Sequence, residues 1–187
     1  DLLVQTLLIT LVAAFGFAHD GVGSTMWNRP IVMAPLVGLV LGDIRTGIMT
    51  GATLELIWLG AFPVGASCPP EMVSGAIIGT SFVINSGGEP SAAVALAVPV
   101  ATLVLMIKTG LRVLITSPVF CGHADKCAAA GDARGVERTE TIGWIFEIVS
   151  LSAIIAVSYY LGAPLIKDIV AAIPPFINHG LEIATGI

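Results

Sequence analysis

Three stretches of this chain carry no Asp, Glu, Lys or Arg: Leu2–Ala18 with 17 residues, Pro90–Ile107 with 18 and Ile148–Ile166 with 19. At a helical rise of ~1.5 Å per residue, each of them with its flanks crosses a hydrocarbon core of about 30 Å. A single segment can do that only as a helix or as part of a closed barrel, because lipid offers no partner to an open backbone N–H or C=O. Composition points the same way. Charged residues are 11% of the chain and hydrophobic ones 56%, against about 25% charged in a soluble domain, which is too few to coat a small sphere in water. The expected fold class is an all-α membrane protein, a single polytopic domain over residues 1–187. Leu2–Ala18 reads as a retained membrane helix, because no small-residue cleavage site leads into a soluble domain. A net charge of -5 leaves no basic face for phosphates, so no nucleic-acid partner is expected.

Residues 30–70 break the pattern. Their charge-free pieces, Pro30–Gly42, Thr46–Leu54 and Leu56–Pro70, are 13, 9 and 15 residues long. Asp43, Arg45 and Glu55 separate them, and Gly38, Gly42, Gly47, Gly51, Gly60, Gly65, Pro30, Pro35, Pro63, Pro69 and Pro70 interrupt them. Irregular backbone survives at membrane depth only against protein or a wet cavity, so broken or re-entrant half-helices are expected here. Such short, interrupted segments are where transporters place their binding sites. The Gly38/Gly42 and Gly47/Gly51 spacings put small residues on one helix face, where backbones can approach closely. Met72–Ile84 reads as a short span that ends in a turn at Asn85–Gly88. Residues 121–140 hold seven charges in 20 positions and read as a polar extramembrane loop with room for a short surface helix. With Lys108 and Arg112 they favour the cytoplasmic side. Trp144, Tyr159 and Tyr160 suit headgroup depth, and the tail, with Pro174, Pro175 and His179, suits an interface.

Ionisable groups at membrane depth are costly unless they face partners or water. Glu55 lies in Thr53-Leu54-Glu55-Leu56-Ile57-Trp58, where a carboxylate can accept from sugar hydroxyls and an indole can cover a sugar face. It also fits a buried structural acid satisfied by backbone donors. Asp43 fits either a functional group or a helix cap beside Arg45. His19-Asp20 and Asn28-Arg29-Pro30 read as helix ends. Cys121-x-His123-x-x-x-Cys127 lacks the further ligands of a zinc site, and no metal or other cofactor is expected. Cys68, Cys121 and Cys127 make an odd number, which argues against a disulfide framework. A protease built on paired aspartates would need a motif around Asp168 that is missing. No Gly-rich phosphate loop is present, so ATP hydrolysis is not expected.

The string from Arg29-Pro30 through Pro35-Leu-Val-Gly-Leu-Val-Leu-Gly-Asp43, Thr46-Gly47, Gly51-Ala-Thr-Leu-Glu55 and Gly65-Ala66 to Pro69-Pro70 resembles the IIC subunit of the mannose/fructose/sorbose family of sugar phosphotransferase systems. Ala124-Asp125-Lys126-Cys127, Asp132–Arg138 and His179-Gly180-Leu181-Glu182-Ile183-Ala184 extend the resemblance over nearly the whole chain. Pro35–Pro70 and Asp132–Arg138 are most similar to the N-acetylgalactosamine branch, while Ala52 replaces a glycine usual in the family. Family members run some tens of residues further, so the sequence is expected to stop short of the family's last segments.

The resemblance implies a bacterial inner-membrane subunit that is not itself an enzyme. It would pair with a IID membrane subunit, assemble as a trimer of IIC–IID protomers and serve cytoplasmic IIA and IIB subunits. Sugar would move by an elevator-like displacement of a core domain against a scaffold, and a histidine on IIB would supply phosphate to the C6 hydroxyl. His19, His123, His179 and Cys127 then need no phosphate. On this reading Glu55 and Thr53 are hydroxyl partners, Trp58 is a stacking wall, and Asp20 and Ser67 are further polar contacts. Asp43, Gly47, Gly51 and Pro70 are structural or hinge positions. The alternatives are an ion-coupled secondary transporter, which also uses broken helices, and a structural membrane scaffold.

Overall fold

The computed structural model describes residues 2–23, 25–61 and 69–162, and they are helical apart from short connections. Helix α1 (Leu2–Phe17) is followed after one residue by α2 (His19–Val22). Then come α3 (Pro30–Leu41), α4 (Ile44–Trp58), α5 (Met72–Ser86) and α6 (Ala92–Leu111). A π-helical stretch, Arg112–Cys121, carries α6 into α7 (Gly122–Ala129), and α8 (Ala133–Gly162) returns beside it. Ser67, Cys68, Asp168, the Pro174-Pro175 tail and His179 lie outside the described residues.

Among the described residues, three helical runs are long and apolar enough to cross a bilayer: Leu2–Val22, Ala92–Ala129 and Ala133–Gly162, of 21, 38 and 30 residues. Large apolar side chains lie outward along them, with Leu3 71% exposed and Leu114 76% exposed. That is the surface of a protein solvated by lipid or by a membrane partner rather than by water.

Helices α3 and α4 have 12 and 15 residues, or roughly 18 and 22 Å at 1.5 Å per residue, so neither crosses alone. They form a tight antiparallel hairpin. Gly42, with φ 85°, ends α3 in a left-handed turn that only glycine adopts freely. Asp43 starts α4 by accepting from Thr46 N at 3.1 Å and from Thr46 Oγ1 at 2.5 Å. The helices touch through glycines. A methyl on Gly47 would lie 2.7 Å from Ala34 O, closer than real Cβ atoms come, and 3.0 Å from Gly38 Cα. The close-approach face is therefore Gly38, Gly47 and Gly51, while Gly42 serves the turn instead of the face its spacing suggested.

Helix α5 packs on α3, α4 and α6, and α1 lies along α8. The core gathers Ile9, Met33, Leu54, Ile77, Phe82 and Ile155, all at most 1% exposed. Small residues again set the α5–α6 spacing, since a methyl on Gly75 would fall 2.7 Å from Ala97 O.

The 121–140 segment, expected as a polar loop with room for a short surface helix, is more helical than that. It is helical on both sides of a short turn in which Gly131 has φ 72°. Ala128, Ala129, Glu137 and Arg138 favour helix, and Asp132 Oδ1 accepts from Gly135 N at 3.0 Å to start α8. Its charges therefore sit on helix surfaces. The π-helical stretch upstream contains Pro118, which lacks the N–H that an α-helical turn would use.

Candidate sugar site

The open end of the α3–α4 hairpin is held by charge. Arg29, just before α3, is 7% exposed. It donates from Nε to Glu55 Oε1 at 2.6 Å, pairs with the same oxygen through Nη2, and reaches Trp58 O at 3.2 Å. Glu55 Oε2 accepts from Ile31 N at 3.3 Å, satisfying a donor that the first turn of α3 leaves open. One side chain thus caps the end of α4 while its partner caps the start of α3, and the hairpin is clasped opposite its Gly42–Asp43 turn. A carboxylate offers about four lone-pair positions. Arg29 and Ile31 take three, leaving one on a group that is 18% exposed.

The neighbouring chain is fixed by α1. Trp27 stacks on Phe15 with centroids 4.9 Å apart. Asn28 Nδ2 lies 3.2 Å from His19 Nε2, and that ring meets Asp20 Oδ1 at 2.9 Å and Gly16 O at 3.2 Å. Asp20 remains 55% exposed. A second charge cluster continues this layer. Lys108, 17% exposed, binds Glu71 Oε2 at 3.1 Å and Glu147 Oε1 at 3.2 Å, and Arg112 reaches that Glu147 oxygen at 3.4 Å. Gly21, beside Asp20, abuts the Trp144 indole of α8 three residues before Glu147, and Arg29 Nη1 lies 3.9 Å from Met72 Sδ, next to Glu71. Asp20, Glu55, Glu71 and Glu147 therefore lie with Arg29, Lys108, Arg112 and His19 in one polar layer, drawn from the ends or interiors of apolar helices. Groups kept at such cost are paired or functional.

The expected site residues divide. Glu55 and Asp20 belong to this layer. Thr53 does not, because two residues along a helix lie about 200° apart and face different neighbours. Thr53 is 3% exposed, donates to Met49 O at 3.1 Å, and with Asp43, Thr46, Glu89 and Ser91 lines a separate cleft of about 1090 Å³ between α4 and the α5–α6 turn. At the α3–α4 turn, outside the long spans, Asp43 is held below the ordinary carboxylate pKa by the Thr46 hydroxyl and amide. Trp58 is 3% exposed and its ring lies over Gly75 of α5, so the indole expected to wall a sugar is part of the core. Gly47 and Gly51 are packing contacts within the hairpin, and Pro70 stands just before Glu71 and α5.

Sequence reasoning read Arg29 as a helix-end residue and Lys108 as a weak orientation signal, and did not single out Glu71 or Glu147. One signal was present for Glu71 and Lys108, since the two charges close apolar runs at opposite ends of an α5–α6 pair. Their meeting across 37 positions requires the tertiary fold. Among the described residues no group of three His, Cys, Asp or Glu could hold a metal ion.

Fold and site together define a multi-pass, all-helical membrane protein with a polar layer at the mouth of a short-helix hairpin. The family model described as the PTS system sorbose-specific IIC component matches residues 3–187, and the chain belongs to that family of the sugar phosphotransferase system. It is similar to the "Putative N-acetylgalactosamine permease IIC component 2" of Escherichia coli (strain K12), with 40% identity over 134 residues, 72% of this chain and 97% of the relative. It is 32% identical to the sorbose-specific EIIC component of Klebsiella pneumoniae over 98% of this chain and 70% of the relative. A solved structure titled "Structure of membrane protein" superposes with a TM-score of 0.84 at 29% identity, covering 97% of this chain and 73% of that one. The mannose transporter ManYZ in complex with microcin E492 gives a TM-score of 0.73 at 29% identity, covering 98% and 73%. The chain is thus a sugar-specific IIC membrane component of the mannose family.

Proposed function

We propose that this subunit binds N-acetylgalactosamine or a related hexose in the membrane and carries it to the cytoplasmic side by an elevator-like displacement of a core against a scaffold. There a IIB subunit phosphorylates the C6 hydroxyl. The observation that carries the reading is the Glu55 carboxylate, oriented by Arg29 and keeping one acceptor position at the mouth of a hairpin too short to span. A sugar hydroxyl is a donor that such an acceptor can take without bringing another charge into the membrane. Asp20, the most exposed acid paired in that layer, supplies a second acceptor. A IID membrane subunit completes the assembly, in trimers of IIC–IID protomers fed by IIA and IIB. The 40% identity to a relative named for N-acetylgalactosamine favours that sugar.

The test uses the assembled complex in membrane vesicles, offered N-acetylgalactosamine, mannose and sorbose side by side. N-acetylgalactosamine is expected to bind at least tenfold more tightly than sorbose, and to accumulate only as the phosphate ester when the phosphoryl carriers are supplied. Accumulation of unmodified sugar under an ion gradient, with no phosphate donor, would overturn the reading.

A further inference from the structure

The cleft of about 1090 Å³ between α4 and the α5–α6 turn has a charged end and an apolar wall. Arg45, Met49, Ala52 and Leu56 line it, and their spacing puts them on one face of α4 over roughly 16 Å. Met49 is 49% exposed and Leu56 55% exposed. Such a wall, on a membrane protein, is solvated by lipid or by a membrane partner. Glu89 and Ser91 close the cleft from the α5–α6 turn. They stand just before Ala92, where a long apolar run begins, which puts the charged end at the depth of lipid headgroups.

The polar groups of that end are only partly satisfied. Asp43 is turned to Thr46 through both carboxylate oxygens. Arg45 and Glu89 are exposed, and among the described residues neither side chain forms an ion pair or a hydrogen bond. Ser91 points to a ligand more directly. It lines the cleft at 7% exposure, and its hydroxyl neither caps α6 nor makes another hydrogen bond among the described residues. Burying a hydroxyl without a partner carries a cost that a ligand's acceptor would remove. Two opposite charges that line one cleft without meeting match a ligand that carries both signs.

We propose that this cleft binds a phospholipid whose headgroup ends in a primary ammonium, of the phosphatidylethanolamine type. The phosphate accepts from the Arg45 guanidinium and the Ser91 hydroxyl, the ammonium donates to Glu89, and an acyl chain lies along Met49, Ala52 and Leu56. Charge selects this headgroup over the other common kinds. A headgroup with no cation sets its phosphate against Glu89 with nothing between them, and a quaternary ammonium has no N–H to donate to a carboxylate. Bound there, the lipid ties the closed end of the α3–α4 hairpin to the α5–α6 turn. Glu55, held by Arg29 and Ile31, takes no part.

The assembled complex, purified in detergent and stripped of lipid, is offered dioleoyl phosphatidylethanolamine, phosphatidylcholine and phosphatidylglycerol in turn, and bound lipid is counted by native mass spectrometry. Phosphatidylethanolamine is expected to bind about fivefold more tightly than either of the others, a preference the size of one exposed ion pair. Glu89→Gln should erase its advantage over phosphatidylcholine. Arg45→Gln should weaken both lipids about fivefold, and Ser91→Ala should weaken phosphatidylethanolamine about threefold. Arg45 and Glu89 are exposed, so those two variants should assemble as the parent does. Equal binding of the three lipids by the parent would mean unselective solvation and would overturn the proposal, as would parental lipid binding in any of the three variants. Glycerophosphoethanolamine, the same headgroup without chains, should fail to compete, and effective competition would show that the apolar wall is not used. Met49→Cys, in a chain whose three native cysteines are replaced by serine, should react with a maleimide in the stripped complex and be shielded once phosphatidylethanolamine is restored. Shielding that persists in the stripped complex would assign the wall to a membrane partner and overturn the lipid site.

Discussion

Arg29 meets one Glu55 oxygen, Oε1, through both Nε and Nη2, a planar fork on a single acceptor that one ammonium does not reproduce, while Ile31 N holds the other oxygen. The orientation of the remaining acceptor position therefore depends on guanidinium geometry as well as on charge. Arg29→Lys keeps the charge and loses the fork, and the loss of one charge-assisted hydrogen bond is worth about 1.5–3 kcal/mol. Sugar affinity of the assembled variant should fall roughly tenfold, read by equilibrium binding, while an unchanged affinity would mean that the fork does not orient the site. Glu55 was legible in the sequence because a carboxylate between Leu54 and Leu56 needs a reason to be there. Its partner was not, since Arg29 lies 26 positions away and only the folded hairpin brings them together. The surroundings of Trp58 were illegible for a related reason. An indole one turn from Glu55 suits either a sugar wall or a core, and the absence of a side chain at Gly75 decides for the core.

The α3–α4 hairpin is the element that positions the proposed site, and glycine makes the hairpin possible. A methyl added to Gly47 would come within 2.7 Å of the Ala34 carbonyl oxygen, and that obstacle is backbone, which cannot rotate away. Gly47→Ala should cost about 1–3 kcal/mol through overpacking, seen as a lower midpoint of thermal unfolding for the detergent-solubilised complex. Equal midpoints for variant and parent would refute the tight contact. The break between two sub-length helices was legible from Asp43 and the short apolar pieces. The allocation of glycines was not, because Gly42 and Gly38 have the same spacing signal, and one provides a positive φ where the other provides close approach. The helical 121–140 segment was obscured by its charges, which mark solvent exposure and say little about backbone when alanine and arginine are both good helix formers.

At the scale of the molecule, apolar run lengths alone gave the class of protein, since a bilayer admits few architectures. The meeting of helix ends in one charged layer was beyond such reasoning, as it depends on how α1, the hairpin, α5, α6 and α8 are stacked. On the proposed reading, that layer supplies a sugar with acceptors held in place by internal cations, beside a hairpin that does not span. The claim is tested most directly by equilibrium binding of N-acetylgalactosamine to the assembled complex, without phosphoryl carriers, in the parent chain and in Glu55→Gln. The account predicts that the parent binds, that Glu55→Gln still assembles, and that its affinity is at least tenfold weaker. Parental affinity in an assembled Glu55→Gln complex would contradict it.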